Sequence, residues 1–199
     1  MKEFKNFDEA KKNAEYTGTE QIPVGAYVAK IMGVRYENGQ NGNSDRIVIQ
    51  FDIAEGEQKD FFAKQYEQNT ADDKKWKGKT TIYVPKDDGT QKDQWTANTF
   101  ARWVNAIEKS NEGYSWDWDE NKWKDKKIGL IFGEVGSRIE NKDIKYVECR
   151  FPASVDDVKN GKCKIPEFKA KNGYGTAANN ATSDNSFINT VEGADEIPF

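Results

Sequence analysis

Histidine is absent from all 199 residues. That absence removes the commonest zinc ligand, the usual base that activates a serine or cysteine nucleophile, and the one side chain that titrates near neutrality. Cysteine is scarce too. Cys149 and Cys163 lie outside any metal-ligand spacing, and they are expected as buried thiols rather than a disulfide. No apolar run approaches the roughly 18 residues of a membrane helix, and Met1-Lys2-Glu3-Phe4-Lys5-Asn6 lacks the apolar core of a signal peptide. The expected location is therefore cytoplasmic. No glycine-bearing loop ends in the Gly-Lys-Ser/Thr of a P-loop, and no nucleophile elbow or paired-cysteine motif is present. Carboxylates are plentiful, but none forms a set beside a positioned Lys or Tyr. A metal-dependent nuclease built from Asp and Glu alone is the distant enzymatic alternative. The expectation is a protein that is no enzyme, with no catalytic residues, no metal and no cofactor.

What the chain has is charge and aromatic surface. Charged residues make up 32% and aromatics 13%, including six Trp, enough rings to fill a core and leave some for a surface. The net charge of −4 argues at first against a nucleic-acid partner. Residues 166–199, however, hold five acids against two lysines, so this stretch carries −3 and the rest of the chain −1. A near-neutral body has room for a local basic groove but not for a strongly cationic coat.

Residues 23–35 are rich in β-formers and run into the turn-forming loop Glu37-Asn38-Gly39-Gln40-Asn41-Gly42-Asn43-Ser44. From 45 to 54 the chain alternates, Ile47, Ile49, Phe51 and Ile53 against Arg46, Val48, Gln50 and Asp52, which predicts a strand with one core face. A third strand is predicted over 80–84, closed by Pro85 and Asp87-Asp88-Gly89, with Tyr83 outward. The period then becomes helical over 93–110, with Trp95, Phe100, Trp103, Val104 and Ile107 on one side. Strands over 127–135 and 144–151 follow, joined by a turn through 136–143, and Ser154 opens a short capped helix. From about residue 168 the polar composition predicts a disordered linker. Three strands, a helix and two strands match an all-β fold, the five-stranded OB barrel with its helix between strands 3 and 4. The domain is expected over 1–167, with 1–20 as an N-terminal extension.

The sequence ends Asp195-Glu196-Ile197-Pro198-Phe199. Pro198 pre-sets an extended backbone, the acids keep the segment solvated, and Phe199 is an aromatic ring left without neighbours to bury it. This ending resembles the acidic tip of bacterial and phage single-stranded DNA-binding proteins. The resemblance implies a docking peptide that recruits replication and recombination enzymes, Phe199 filling an apolar pocket, Ile197 adding contact, and the carboxylates meeting basic residues. The body is similar to proteins of phages infecting Gram-positive bacteria through Gln21-Ile22-Pro23-Val24-Gly25-Ala26-Tyr27, Phe51-Asp52-Ile53-Ala54-Glu55-Gly56-Glu57, Tyr83-Val84-Pro85-Lys86-Asp87-Asp88-Gly89 and Trp116-Asp117-Trp118-Asp119. It departs from the cellular pattern of the family. The implied activity is sequence-nonspecific binding of single-stranded DNA in replication or recombination, within the host cytoplasm if a phage encodes the chain. A homo-oligomer, dimer or tetramer, is expected because several weak tips on one assembly gain avidity.

Single strands are held by cations on phosphates and by rings stacked on bases. Lys74, Lys75, Trp76, Lys77 and Lys79 pack four cations around one ring just before the third strand, with Phe61, Phe62, Lys64 and Tyr66 upstream. Tyr83 and Arg46 join them by alternation. Arg35 and Tyr36 stand at the mouth of the first loop, and Arg138, Lys142 and Tyr146 on the last hairpin close the groove. Trp116, Trp118 and Trp123 have acidic neighbours and are expected to pack against the helix rather than meet DNA. The competing reading is a recombination mediator or adaptor whose barrel binds protein.

Overall fold

The computed structural model describes residues 20–40 and 42–175. The tip 195–199 and most of the N-terminal extension lie outside these residues. The elements run β1 (Gly25–Glu37), β2 (Arg46–Ile53), α1 (Phe61–Gln68), β3 (Lys79–Tyr83), α2 (Gln91–Ser110), a 3-10 turn (Glu120–Trp123), β4 (Lys127–Ile139), β5 (Lys142–Ala153), α3 (Val155–Lys159) and β6 (Lys169–Ala170). The fold is mostly β. One mixed sheet has the order β3-β2-β1-β4-β5, with β6 parallel to β4.

β1 serves two partners. Its first half pairs antiparallel with β4 and its second half with β2, and a register shift between Ile31 and Gly33 lies within the β2 ladder. A bulge of this kind bends a strand and sharpens its twist, so the sheet curls around its apolar face. That face holds Ile31, Ile47, Ile49, Phe51, Ile53, Ile82, Ile128, Leu130 and Phe132, covered by Phe100, Trp103, Val104 and Ile107 of α2 and by Trp123. The sheet is barrel-like but open. β3 and β5 are its edges, and among the described residues no ladder joins them.

Four local readings of the sequence change. Residues 61–68 form a helix, and Phe61 and Phe62, expected at the DNA-contacting surface, are both in the core. The carboxylate of Asp52 makes this possible. It accepts N–H bonds from Phe62 at 2.9 Å and Ala63 at 3.0 Å, so a side chain on β2 caps a helix whose own N-cap residue, Asp60, makes no side-chain cap. The last hairpin turns over only Glu140 and Asn141, both at positive φ (48° and 64°), the two-residue arrangement that matches strand twist. β4 and β5 therefore extend through the region expected as a long turn. Trp95 is 55% exposed, not in the core.

Regular structure also continues past residue 168, where the linker was expected to begin. β6 takes the stretch of β4 edge that β1 leaves free, at Val135 and Gly136. Phe168 and Tyr174 stack edge to face at 5.3 Å over Gly136. A Cβ at 136 would stand 2.6 Å from both rings, so only glycine admits this layer. Composition missed it because two aromatic contacts order a segment that is otherwise polar. On the outer edge of β5, the Gln21 side chain donates to Lys145 O at 3.4 Å and accepts from Val147 N at 2.6 Å.

Candidate nucleic-acid interface

Register decides which side chains share the outer face of the sheet, since partners in a ladder point the same way. Arg46 stands between Glu37 and Tyr83, Val48 between Arg35 and Thr81, and Gln50 between Gly33 and Lys79. Arg35, Arg46, Lys79 and Tyr83 therefore lie on one face, opposite the core, and Tyr83 is 55% exposed. The same ladder places Tyr36 opposite Ile47, on the other face. Its hydroxyl donates to Asp45, which also accepts from Gly39 N at 2.7 Å and so ties down the loop after β1.

Glu37 sits between two of the cations. It accepts from Arg46 Nε at 2.6 Å and from Arg35 Nη2 at 2.5 Å. Those two guanidiniums, Arg46 foremost, hold its carboxyl below the usual carboxylate range. Beside it opens a cleft of about 910 Å³ under the loop 38–44, lined further by Arg46, Tyr83, Lys86 and Lys92. The lining carries three cations against the one carboxylate of Glu37. Lys86 and Lys92 were not singled out from the sequence. Their signal was the basic pair flanking the Asp87-Asp88-Gly89 turn beside the outward Tyr83.

The cluster at 61–79 is divided. Phe61 and Phe62 are buried, Phe62 stacking against Phe132 and both packing edge to face, so neither ring is available to a base. Trp76 is half-buried and its indole N–H donates to Phe51 O at 3.1 Å and Gly78 O at 2.9 Å. It staples the approach to β3 rather than standing free. Tyr66 lies 5.9 Å from Trp76, with Lys74 Nζ 4.6 Å above its ring. Lys64 Nζ donates to Lys59 O at 2.8 Å. Lys75, Lys77 and Lys79 are exposed, and Lys79 ends on the Tyr83 face about 13 Å along β3.

On the last hairpin, Arg138 Nη2 donates to Asn141 O at 3.2 Å and its guanidinium lies 3.6 Å from Asp143. Lys142 is exposed and Tyr146 half-buried. These residues sit across β1 from Tyr83, on the β4–β5 side of the sheet, so the structure does not join them to the Arg46 face. Trp116 and Trp123 pack with Phe100 as expected, their rings 4.9 Å apart. Trp118, expected to pack with them, is instead 82% exposed, its ring 6.0 Å from that of Trp116. Cys149 and Cys163 are free, and burial pushes both thiols up. Among the described residues no group of three or more metal-ligating side chains occurs, and no helix is long and apolar enough to cross a membrane.

No protein-family model matches the sequence, and no curated protein matches it.

Proposed function

We propose that the chain is a non-enzymatic, sequence-nonspecific single-stranded DNA-binding protein built on an OB-type sheet, with the strand on the outer face of β1, β2 and β3. The observation that carries this reading is the exposed Tyr83 ring, paired across the ladder with Arg46, with Lys79 further along the same face and the cleft lined by Lys86 and Lys92 beside it. A ring that offers its face to any base and cations that meet phosphates need no base-edge contacts. The strand order supports the OB assignment, because β1 shared between β2 and β4 is the arrangement that curls five strands into such a barrel. The terminal Asp195–Phe199 segment docks replication or recombination enzymes, and copies of the chain associate so that several tips act together. Phage DNA replication or recombination in a host cytoplasm is the setting.

An adaptor whose sheet binds protein is the second reading. Glu37 neutralises part of the face, and Trp118 stands exposed between Asp117 and Asp119. Fluorescence polarisation with labelled oligo-dT at low and moderate salt separates the two. The first reading expects binding that weakens with salt; no binding at micromolar protein in low salt refutes it.

A further inference from the structure

Trp95 is an exposed tryptophan on a helix whose other large apolar side chains, Phe100, Trp103, Val104 and Ile107, are buried. Its position on α2 explains why. Lys92, Trp95, Thr99 and Arg102 are spaced i, i+3, i+7 and i+10, which lines them along one flank of the helix, beside the core stripe and not within it. Lys92 also lines the cleft that Tyr83 and Arg46 open into. The flank therefore begins where the outer face of the sheet ends, and it runs about 15 Å along the helix. No acid lies between Lys92 and Arg102 on that flank; Asp93, next in sequence, turns the other way.

The nearby acids are engaged at the start of the helix. Asp93 accepts from Lys86 N at 2.7 Å and Asp88 N at 3.3 Å, while Asp88 accepts from the Thr90 N–H at 2.9 Å and its hydroxyl at 2.7 Å. Asp87 is exposed in the same connection. Among the described residues neither Lys92 nor Arg102 has a carboxylate within 4 Å. Both cations are open to an anion, and a ring stands between them.

We infer that single-stranded DNA leaving the Tyr83 face passes through the cleft and continues along α2, with Lys92 and Arg102 on phosphates and a base stacked on Trp95. This rests on the single-strand reading of the Tyr83 face. It adds a second stacking platform on the helix, so that the bound length is set by α2 as well as by the sheet.

Fluorescein-labelled dT8, dT16 and dT24 titrated into the full chain test the path. Wild type should bind dT16 and dT24 more tightly than dT8. Trp95→Ala should lose about five-fold or more on the long oligomers and little on dT8, and Trp95→Tyr should recover most of it. Arg102→Gln, an exposed change, should reduce the salt slope on dT24 by about 0.7. Photocrosslinking with 5-iodouridine-substituted dT24 should mark Trp95. If wild type binds dT24 but both variants match it, the path along α2 is wrong and the Tyr83 face stands. If wild type binds no oligomer, the single-strand reading falls and takes this inference with it.

Discussion

Replacing Glu37 by glutamine should strengthen single-strand binding and make it more dependent on salt. Glu37 holds Arg46 and Arg35 at 2.6 and 2.5 Å, so both guanidiniums face a carboxylate where a phosphate would otherwise sit. Glutamine keeps the length and removes the charge. The Arg35 and Arg46 side chains are 67% and 50% exposed and stay solvated without a partner. Each phosphate neutralised on a single strand adds about 0.7 to the slope of log affinity against log salt, so two released arginines add up to about 1.4. Between 50 and 200 mM salt the variant then loses about sevenfold more affinity than wild type, starting from tighter binding at the low end. Acid should imitate the substitution. The carboxyl is held below its ordinary value of 4.5, so the clamp persists at and above that pH and is released only as pH falls through the lowered value. The ion pairs' share of stability is present above the unfolded value and disappears over the same acid range. Polarisation titrations with dT16 at four salt concentrations measure the slope. An unchanged slope and unchanged affinity in Glu37→Gln would show that these arginines never reach phosphate.

Tyr83→Ala should weaken oligo-dT binding by about 1 to 3 kcal/mol through lost stacking, while leaving the melting temperature nearly in place because the ring is 55% exposed; equal affinity in polarisation would move the strand elsewhere. Asp52→Ala strands the N–H groups of Phe62 and Ala63 and should cost about 1 to 3 kcal/mol, read as a lower urea midpoint, with Asp52→Asn recovering part; an unmoved midpoint would mean the cap is dispensable. Gly136→Ala places a methyl against Phe168 and Tyr174 and should speed proteolysis within residues 166–175, and an unchanged cleavage pattern would argue that the layer is not packed as described.

The strands were legible because alternation is a strong signal when one face is apolar: Ile47, Ile49, Phe51 and Ile53 are buried as expected, and Arg46 and Tyr83 face outward. Pairing across distance was not legible. Phe61 and Phe62 read as a surface pair because nothing local reveals that Asp52, ten residues back on another element, supplies the helix cap. Trp95 groups with the apolar side of α2 as a large ring near the start of the pattern, yet its spacing from Phe100, Trp103, Val104 and Ile107 sets it on the neighbouring flank, where it is exposed. The basic run at 74–79 was visible as charge, but the two backbone acceptors that fix Trp76 are close only after folding. Tyr36 shows the limit of reading exposure without register, since one residue of offset from Arg35 puts it on the opposite face.

The Gln21 amide on β5 bears on what that sheet edge can pair with. An edge strand with free N–H and C=O groups is a template for the next molecule's strand. Here a primary amide mimics one peptide unit of such a neighbour, occupying Val147 N and Lys145 O and ending the ladder after a single rung. Sheet-to-sheet growth through the middle of β5 must first evict that side chain. Gln21 thus closes this point of the β5 edge to strand addition.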